Sequence, residues 1–201
     1  MIAIITGDII NSENHPATEW MELLKKYFNG FGPSPMNWEI YRGDEFQLKV
    51  TESNALFTAI RIKAMLKSIK GLDVRMAIGI GLETYMGKGV TESNGPAYQR
   101  SGRKFESLKE SKVNLSIATG NEEKDRTLNL MLQLALDFMD DWSAVSAEIV
   151  ALVLDCPEDS QKEIAKKLGI KQSAVSQRLK RARLDLVLDL LAYYQETLVT
   201  K

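Results

Sequence analysis

Two groups of side chains in this chain have types and spacing suited to chemistry. The first runs from Lys171 to Arg181: Lys171, Gln172, Ser173, Ser176, Gln177, Arg178, Lys180 and Arg181 fall where one helix would turn them outward. Amides and hydroxyls so placed (Gln172, Ser173, Ser176, Gln177) can read base edges in a major groove. The cations beside them (Lys171, Arg178, Lys180, Arg181) can grip phosphates. The second group is Asp8 with Asp44. Two carboxylates with few other ligands suit Mg²⁺, which keeps several waters and is held by one or two Asp plus a substrate's phosphates. Glu45, beside Asp44, is a candidate third ligand or general base. With one Cys (Cys156) and one His (His15), a zinc site of His/Cys type cannot be assembled.

The elements that must hold the first group are written locally. Ser160 and Glu163 have the spacing of a capping box at a helix start. Ile164, Ala165 and Leu168 follow at helical spacing, and Gly169 stands where a left-handed residue ends a helix without steric cost. Ile170, Val175 and Leu179 are placed to pack a second helix across the first. The segment thus predicts a helix-turn-helix over about 160–183, with double-stranded DNA as partner. From Glu158 to Arg183 eight basic side chains face three acidic ones, in a chain whose formal charge is -1. The cations phosphate binding needs are gathered here.

The aspartates call for a sheet. Ile2 to Ile5 reads as a buried strand ending at Thr6-Gly7-Asp8, and 16–28 as a helix. Trp38 to Tyr41 and Phe46 to Val50 read as strands around a hairpin tip, Arg42-Gly43-Asp44-Glu45. Ser53 to Ile69 reads as an amphipathic helix capped by Ser53, and Val74 to Ile80 as a strand. That order, β-α-β-β-α-β, is the ferredoxin-like arrangement and sets the first strand beside the hairpin, so Asp8 and Asp44 can converge. A Gly-rich loop (87–95), a polar helix (96–109) and a strand (113–119) follow. Helices fill the rest, at 122–142, 143–154 and the helix-turn-helix. The apolar stripe Leu186, Val187, Leu190, Leu191, Tyr194 and Leu198 suggests the second helix running on past Arg183. The fold class is α+β, with an α/β domain over 1–120 and an all-α segment over 121–201 that ends in a dimerisation helix.

Hydrophobic content of 44% and charged content of 26% describe a globular protein, and no apolar run approaches twenty residues, so no membrane span is expected. A single cysteine excludes an internal disulfide and fits a reducing, cytoplasmic setting. Gly87-Lys88-Gly89 lacks the spacing of a phosphate loop and reads as a turn.

Several motifs resemble those of a known superfamily. Thr6-Gly7-Asp8-Ile9 resembles the first metal-aspartate motif of class III nucleotidyl cyclases. Gly43-Asp44-Glu45-Phe46 resembles their second and the Gly-Gly-Asp-Glu-Phe signature of diguanylate cyclases, and Val74 to Gly81 the strand that follows. Gly95-Pro-Ala-Tyr-Gln-Arg-Ser-Gly-Arg103 resembles the cyclase helix whose Asn and Arg hold triphosphate and ribose; here Gln99 and Arg103 occupy those places. The resemblance implies a nucleotidyl cyclase-like domain, Mg²⁺ on Asp8 and Asp44, and a nucleotide or other phosphorylated ligand at Gln99, Arg103 and Arg42. It also implies a homodimer in which the aspartates of one chain face Gln99 and Arg103 of the other. Ile40, Tyr41 and Arg42 stand where cyclases place a base-selecting lysine, and Arg42 replaces the first glycine of the diguanylate signature. These departures favour ligand binding over turnover. The expected function is therefore a DNA-binding, transcription-regulating protein that senses a Mg-bound nucleotide. The alternative is a metal-dependent cyclase or related phosphoryl-transfer enzyme, with Glu45, Gln99 and Arg103 as catalytic candidates. A short cyclase-like domain followed by a helix-turn-helix resembles the SatD family.

Overall fold

The structure is a computed structural model that describes residues 1–199. Five strands form one mixed sheet: β1 (Ile2–Ile10), β2 (Trp38–Tyr41), β3 (Glu45–Thr51), β4 (Asp73–Gly81) and β5 (Leu115–Ala118). Their spatial order is β2-β3-β1-β4-β5. Strand β1 is central and antiparallel to both β3 and β4, and β5 joins β4 in parallel. Helix α1 (Ala17–Phe28) follows β1, α2 (Ala55–Lys67) follows β3, and α3 (Pro96–Ser111) follows β4. The first six regular elements are thus β-α-β-β-α-β, in a mixed α+β fold.

Alternation along β1 separates two faces. Ala3, Ile5 and Ile9 enter the main core, whereas Ile4 packs under α3 against Ala97 and Tyr98. The Thr6 hydroxyl lies 2.6 Å from that of Ser101 on α3, so Asp8 points to the α3 side as well. Helix α3 approaches closely because β4 carries glycine beneath it. A Cβ on Gly79 would collide with the backbone of Ala97 and Ser101, and one on Gly81 with Ala97 and Pro96. The Gly79-Ile80-Gly81 step therefore serves helix–sheet contact.

The remaining helices are α4 (Glu122–Met139), α5 (Ala144–Asp155), α6 (Gln161–Leu168), α7 (Gln172–Ala182) and α8 (Leu184–Val199). One continuous core joins the sheet, α1 and α2 to Leu128, Leu132 and Leu136 of α4, Val150 and Leu154 of α5, and Val187, Leu190 and Tyr194 of α8. A smaller cluster, Ile149, Ile164, Ala165 and Val175, holds α5, α6 and α7 together. Asn129 of α4 closes the outer edge of β5: its Oδ1 accepts from the Ile117 N–H at 2.9 Å and its Nδ2 donates to the Ile117 carbonyl at 2.8 Å.

Helix α2 departs from the sequence expectation. It starts two residues after Ser53, which does not cap it, and it is buried on nearly all sides rather than amphipathic. Its cations are held by carboxylates from other elements. The Lys63 ammonium has no exposed surface and lies 2.7 Å from Asp73 Oδ1 and 2.6 Å from Asp140 Oδ1. Lys67 adds bonds to Asp73 Oδ2 and the Asp140 carbonyl. Arg61 binds Asp155, at the end of α5, through two hydrogen bonds of 2.6 and 2.5 Å.

Two further boundaries differ. Strand β1 runs on to Ile10, so Asp8 lies inside it rather than at its end. The apolar stripe past Arg183 belongs to a separate helix: Arg183 has φ 50°, which stops α7, and α8 begins at Leu184. No helix among the described residues is long and apolar enough to cross a membrane.

Removing the buried ammonium leaves Asp140 without its counter-charge and Asp73 with Lys67 alone. Lys63→Ala is expected to cost about 3–5 kcal/mol in urea unfolding, the range for breaking a buried ion pair from one side.

Candidate functional site

The hairpin places the carboxylates. Tyr41 pairs with Glu45, leaving a three-residue tip in which Arg42 and Gly43 both take positive φ, 52° and 95°. That bend carries Asp44 back toward β1, where its carbonyl accepts from the Ile9 N–H at 3.3 Å. Asp44 Oδ2 accepts from the Ser12 hydroxyl at 2.7 Å. Asp8 sits across β1 from Glu45 on one side and Arg75 on the other. Asp44 lies close enough for its charge to bear on Asp8.

Two cations from α3 and β4 enter this cluster. Arg75 Nη1 donates to Asp8 Oδ2 at 3.2 Å, and Lys109 Nζ donates to Glu45 Oε1 at 3.1 Å. Arg42 reaches the other oxygen of Glu45 at 3.8 Å but is otherwise exposed. Glu45 is therefore an ion-paired residue on both oxygens. Burial pushes the Asp8 carboxyl above its ordinary range; Arg75 and Lys109 pull it back only in part, and Asp44 and Glu45 add to the rise. Burial, with Glu45 nearby, likewise raises the Tyr41 hydroxyl.

Three buried polar atoms on this face have no hydrogen-bond partner: Asp8 Oδ1, Gln47 Oε1 and Arg75 Nε. Gln47 lies opposite Thr6, one pleat from Asp8. An unmet oxygen of Asp8 beside an unmet amide oxygen of Gln47 fits a hard cation that brings its own waters. No group of three or more His, Cys, Asp or Glu among the described residues is placed to hold a metal ion.

Gln99 and Arg103 are not brought to this cluster within one chain. Both are exposed on α3, and Gln99 donates to Asn94 Oδ1 at 3.4 Å. Lys109, ten residues along α3 from Gln99, is the residue that touches Glu45. At 1.5 Å per residue, Gln99 lies about 15 Å and Arg103 about 9 Å from that contact along the helix.

The cationic segment has the local geometry its sequence specifies. Ser160 Oγ accepts from the Glu163 N–H at 3.3 Å, and Glu163 Oε2 accepts from the Ser160 N–H at 2.8 Å. The Ser160 hydroxyl also donates to Glu163 Oε2 at 2.7 Å, and this bond, with that from the Ser160 N–H, holds the Glu163 carboxyl below its ordinary range. Gly169 ends α6 with φ 64°, and the Ile170 N–H closes the turn on the Ala165 carbonyl at 3.0 Å. Val175 anchors α7 in the small core. Lys171, Gln172, Ser173, Ser176, Gln177, Lys180 and Arg181 are all exposed. Arg178 differs: it is partly buried, with Nη1 3.6 Å from Glu148 of α5.

Sequence reasoning missed Arg75, Lys109, Ser12 and Gln47. For Arg75 and Gln47 the signal is strand register, since both share the alternation that turns Asp8 to the α3 face.

The chain is thus a mixed α+β protein that joins a half-buried carboxylate cluster on a sheet to a compact helical unit with an exposed cationic helix. The family model for the SatD family matches residues 1–192, and the chain belongs to that family. Comparison with curated proteins gives no match.

Because burial raises Asp8 in the folded state, its stabilising contribution is complete below the unfolded carboxylate pKa of about 4 and is lost as pH rises through its folded value. Asp8→Asn removes that loss. In metal-free buffer, the variant's unfolding free energy relative to wild type should therefore improve between about pH 4 and pH 7, as measured by denaturant titration at both pH values.

Proposed function

We propose that this protein binds double-stranded DNA through α7, as a transcription regulator whose N-terminal, nucleotidyl cyclase-like domain senses a Mg²⁺-bound nucleotide or related phosphorylated ligand. On this reading α6 and α7 are the two helices of a helix-turn-helix. The observation that carries the reading is the free outer face of α7. Seven of the eight side chains assigned to DNA are solvent-exposed, while Val175 and Ala182 on the opposite side are buried. A helix anchored on one side and bare on the other can enter a major groove about 12 Å wide.

Gln172, Ser173, Ser176 and Gln177 supply amides and hydroxyls for base edges. Lys171, Lys180 and Arg181 flank them as phosphate contacts. Arg178 joins the phosphate set by leaving Glu148, a partly exposed surface pair that costs little to open.

Sensing is supported by the unmet acceptors around Asp8. Asp8 and Asp44 would hold Mg²⁺, and the ion would neutralise ligand phosphates there. Arg42 and Lys109, at the rim, offer positive charge to the same phosphates. Arg75 keeps Asp8 oriented, and its guanidinium offsets part of the pair's charge when no cation is present. Gln99 and Arg103 lie away from the carboxylates on their own α3, so within one chain the ligand is held without them.

For DNA, a fragment chosen from random sequence should bind with a steep salt dependence. Gln177→Ala should relax sequence choice by about 1–3 kcal/mol at the contacted base pair. Lys180→Ala should instead weaken all sequences together and reduce the salt slope by about one. Equal effects from both substitutions on specific and non-specific DNA, measured by fluorescence anisotropy, would reject this division of roles.

For the ligand, calorimetric titration with nucleoside triphosphates should show binding that needs Mg²⁺ and is lost in Asp44→Asn. Steady turnover of the triphosphate, abolished by Asp8→Ala, would replace sensing with catalysis.

A further inference from the structure

Helices α4 and α8 run antiparallel at the β5 edge of the sheet, far from the hairpin. Lys124 near the start of α4 bonds the Thr197 carbonyl near the end of α8, and the Arg183 guanidinium, just before α8, lies 5.4 Å from the Phe138 ring near the end of α4. Their inner sides fill the core. Their outer sides expose large apolar side chains among charged ones such as Arg126, Asp137 and Asp185: Leu134 is 68% exposed, Leu130 57%, Leu186 46% and Tyr193 37%. Between the two helices runs a groove of about 430 Å³ lined by Met131, Leu134, Phe138, Leu186, Leu190 and Tyr193. Contiguous exposed apolar surface of this kind marks an interaction site.

We propose that this α4/α8 face is an isologous interface with a second copy of the chain, and that the resulting dimer sets the separation of the two α7 helices; the second clause rests on the DNA-binding reading. Three observations favour a second copy as the occupant. The patch holds both a groove and ridges, because Leu130 and Leu134 stand proud on α4 beside the hollow between the helices. A two-fold axis then lets each copy's ridge fill the other's groove. The groove wall also carries one charge of each sign, Arg183 and Asp189. They lie six residues apart, so an antiparallel pairing of α8 with its copy brings each Arg183 toward the other chain's Asp189. Finally, the size is adequate. An α4/α8 pair about 25 Å long and about 20 Å wide gives roughly 500 Å² of planar footprint per copy. Side-chain relief carries that toward the ~800 Å² per partner of a standard interface.

The consequence for α7 follows from its connection. Only Arg183 separates α7 from α8, and Trp142 Nε1 bonds the Ala182 carbonyl at 2.9 Å, so α7 is fixed relative to the interface. Two such helices across a two-fold can meet half-sites about one DNA turn apart.

The experiment is sedimentation equilibrium on the full chain across low-micromolar to about 100 μM concentrations. Wild type should be a dimer, Leu134→Glu a monomer with unchanged circular dichroism and melting temperature, and Arg183→Asp and Asp189→Arg each weaker dimers. The Arg183→Asp/Asp189→Arg double variant should regain at least tenfold in dimer affinity over either single variant. A monomeric wild type, or a dimer unmoved by Leu134→Glu, overturns the proposal, including where the wild-type face captures only some other protein. DNA binding is read separately. If the dimer forms and no fragment binds with salt dependence, the interface stands and the DNA reading falls. If DNA binds and Leu134→Glu keeps full affinity for a two-half-site fragment, the coupling of dimer to α7 spacing falls.

Discussion

The ammonium of Lys63, fully enclosed between Asp73 and Asp140, is the constraint around which the rest of the molecule is arranged. An isolated charge cannot be taken out of water at acceptable cost, so three elements must arrive together: α2 with the lysine, the start of β4, and the corner after α4. Neighbouring cations on the same helix extend the logic. Lys67 repeats the link to Asp73, and Arg61 reaches the last residue of α5. Helix α2 is therefore buried on nearly all sides yet still carries charge, because each charge is answered by an element that packs against it.

Those ionic ties orient the helical half of the chain on the sheet. Asp155 ends α5, and α5 supplies Ile149 to the small core beneath α6 and α7. The path from the sheet to the cationic helix thus runs through α2, the Arg61–Asp155 pair and α5, with no long unstructured link. Tyr194 of α8 adds a second attachment, its hydroxyl donating to the Glu52 carbonyl at 2.7 Å.

What could be read from residues alone was what is encoded locally. Ser160, Glu163 and Gly169 define a helix start and stop within ten positions, and each does in the structure what its chemistry dictates. Strands β2 and β3 were legible for the same reason, through short alternating runs around a Gly-containing tip. The neighbours of Asp8 were not legible, because they depend on which residue of β4 lies opposite which residue of β1. A shift of one place would have turned Arg75 away from Asp8. The break between α7 and α8 was hidden too, since a left-handed Arg183 leaves no mark in composition. An amphipathic α2 would leave its lysines and arginine in water, whereas carboxylates distant in sequence draw them inward.

The two open borders of the sheet are treated unequally. On one side β2 is only four residues long. On the other, the carboxamide of Asn129 occupies the donor and acceptor of Ile117 that another strand would otherwise use. One side chain thereby mimics a neighbouring backbone and denies the border to a foreign chain. A border shut in this way is a poor template for open-ended, fibril-like stacking.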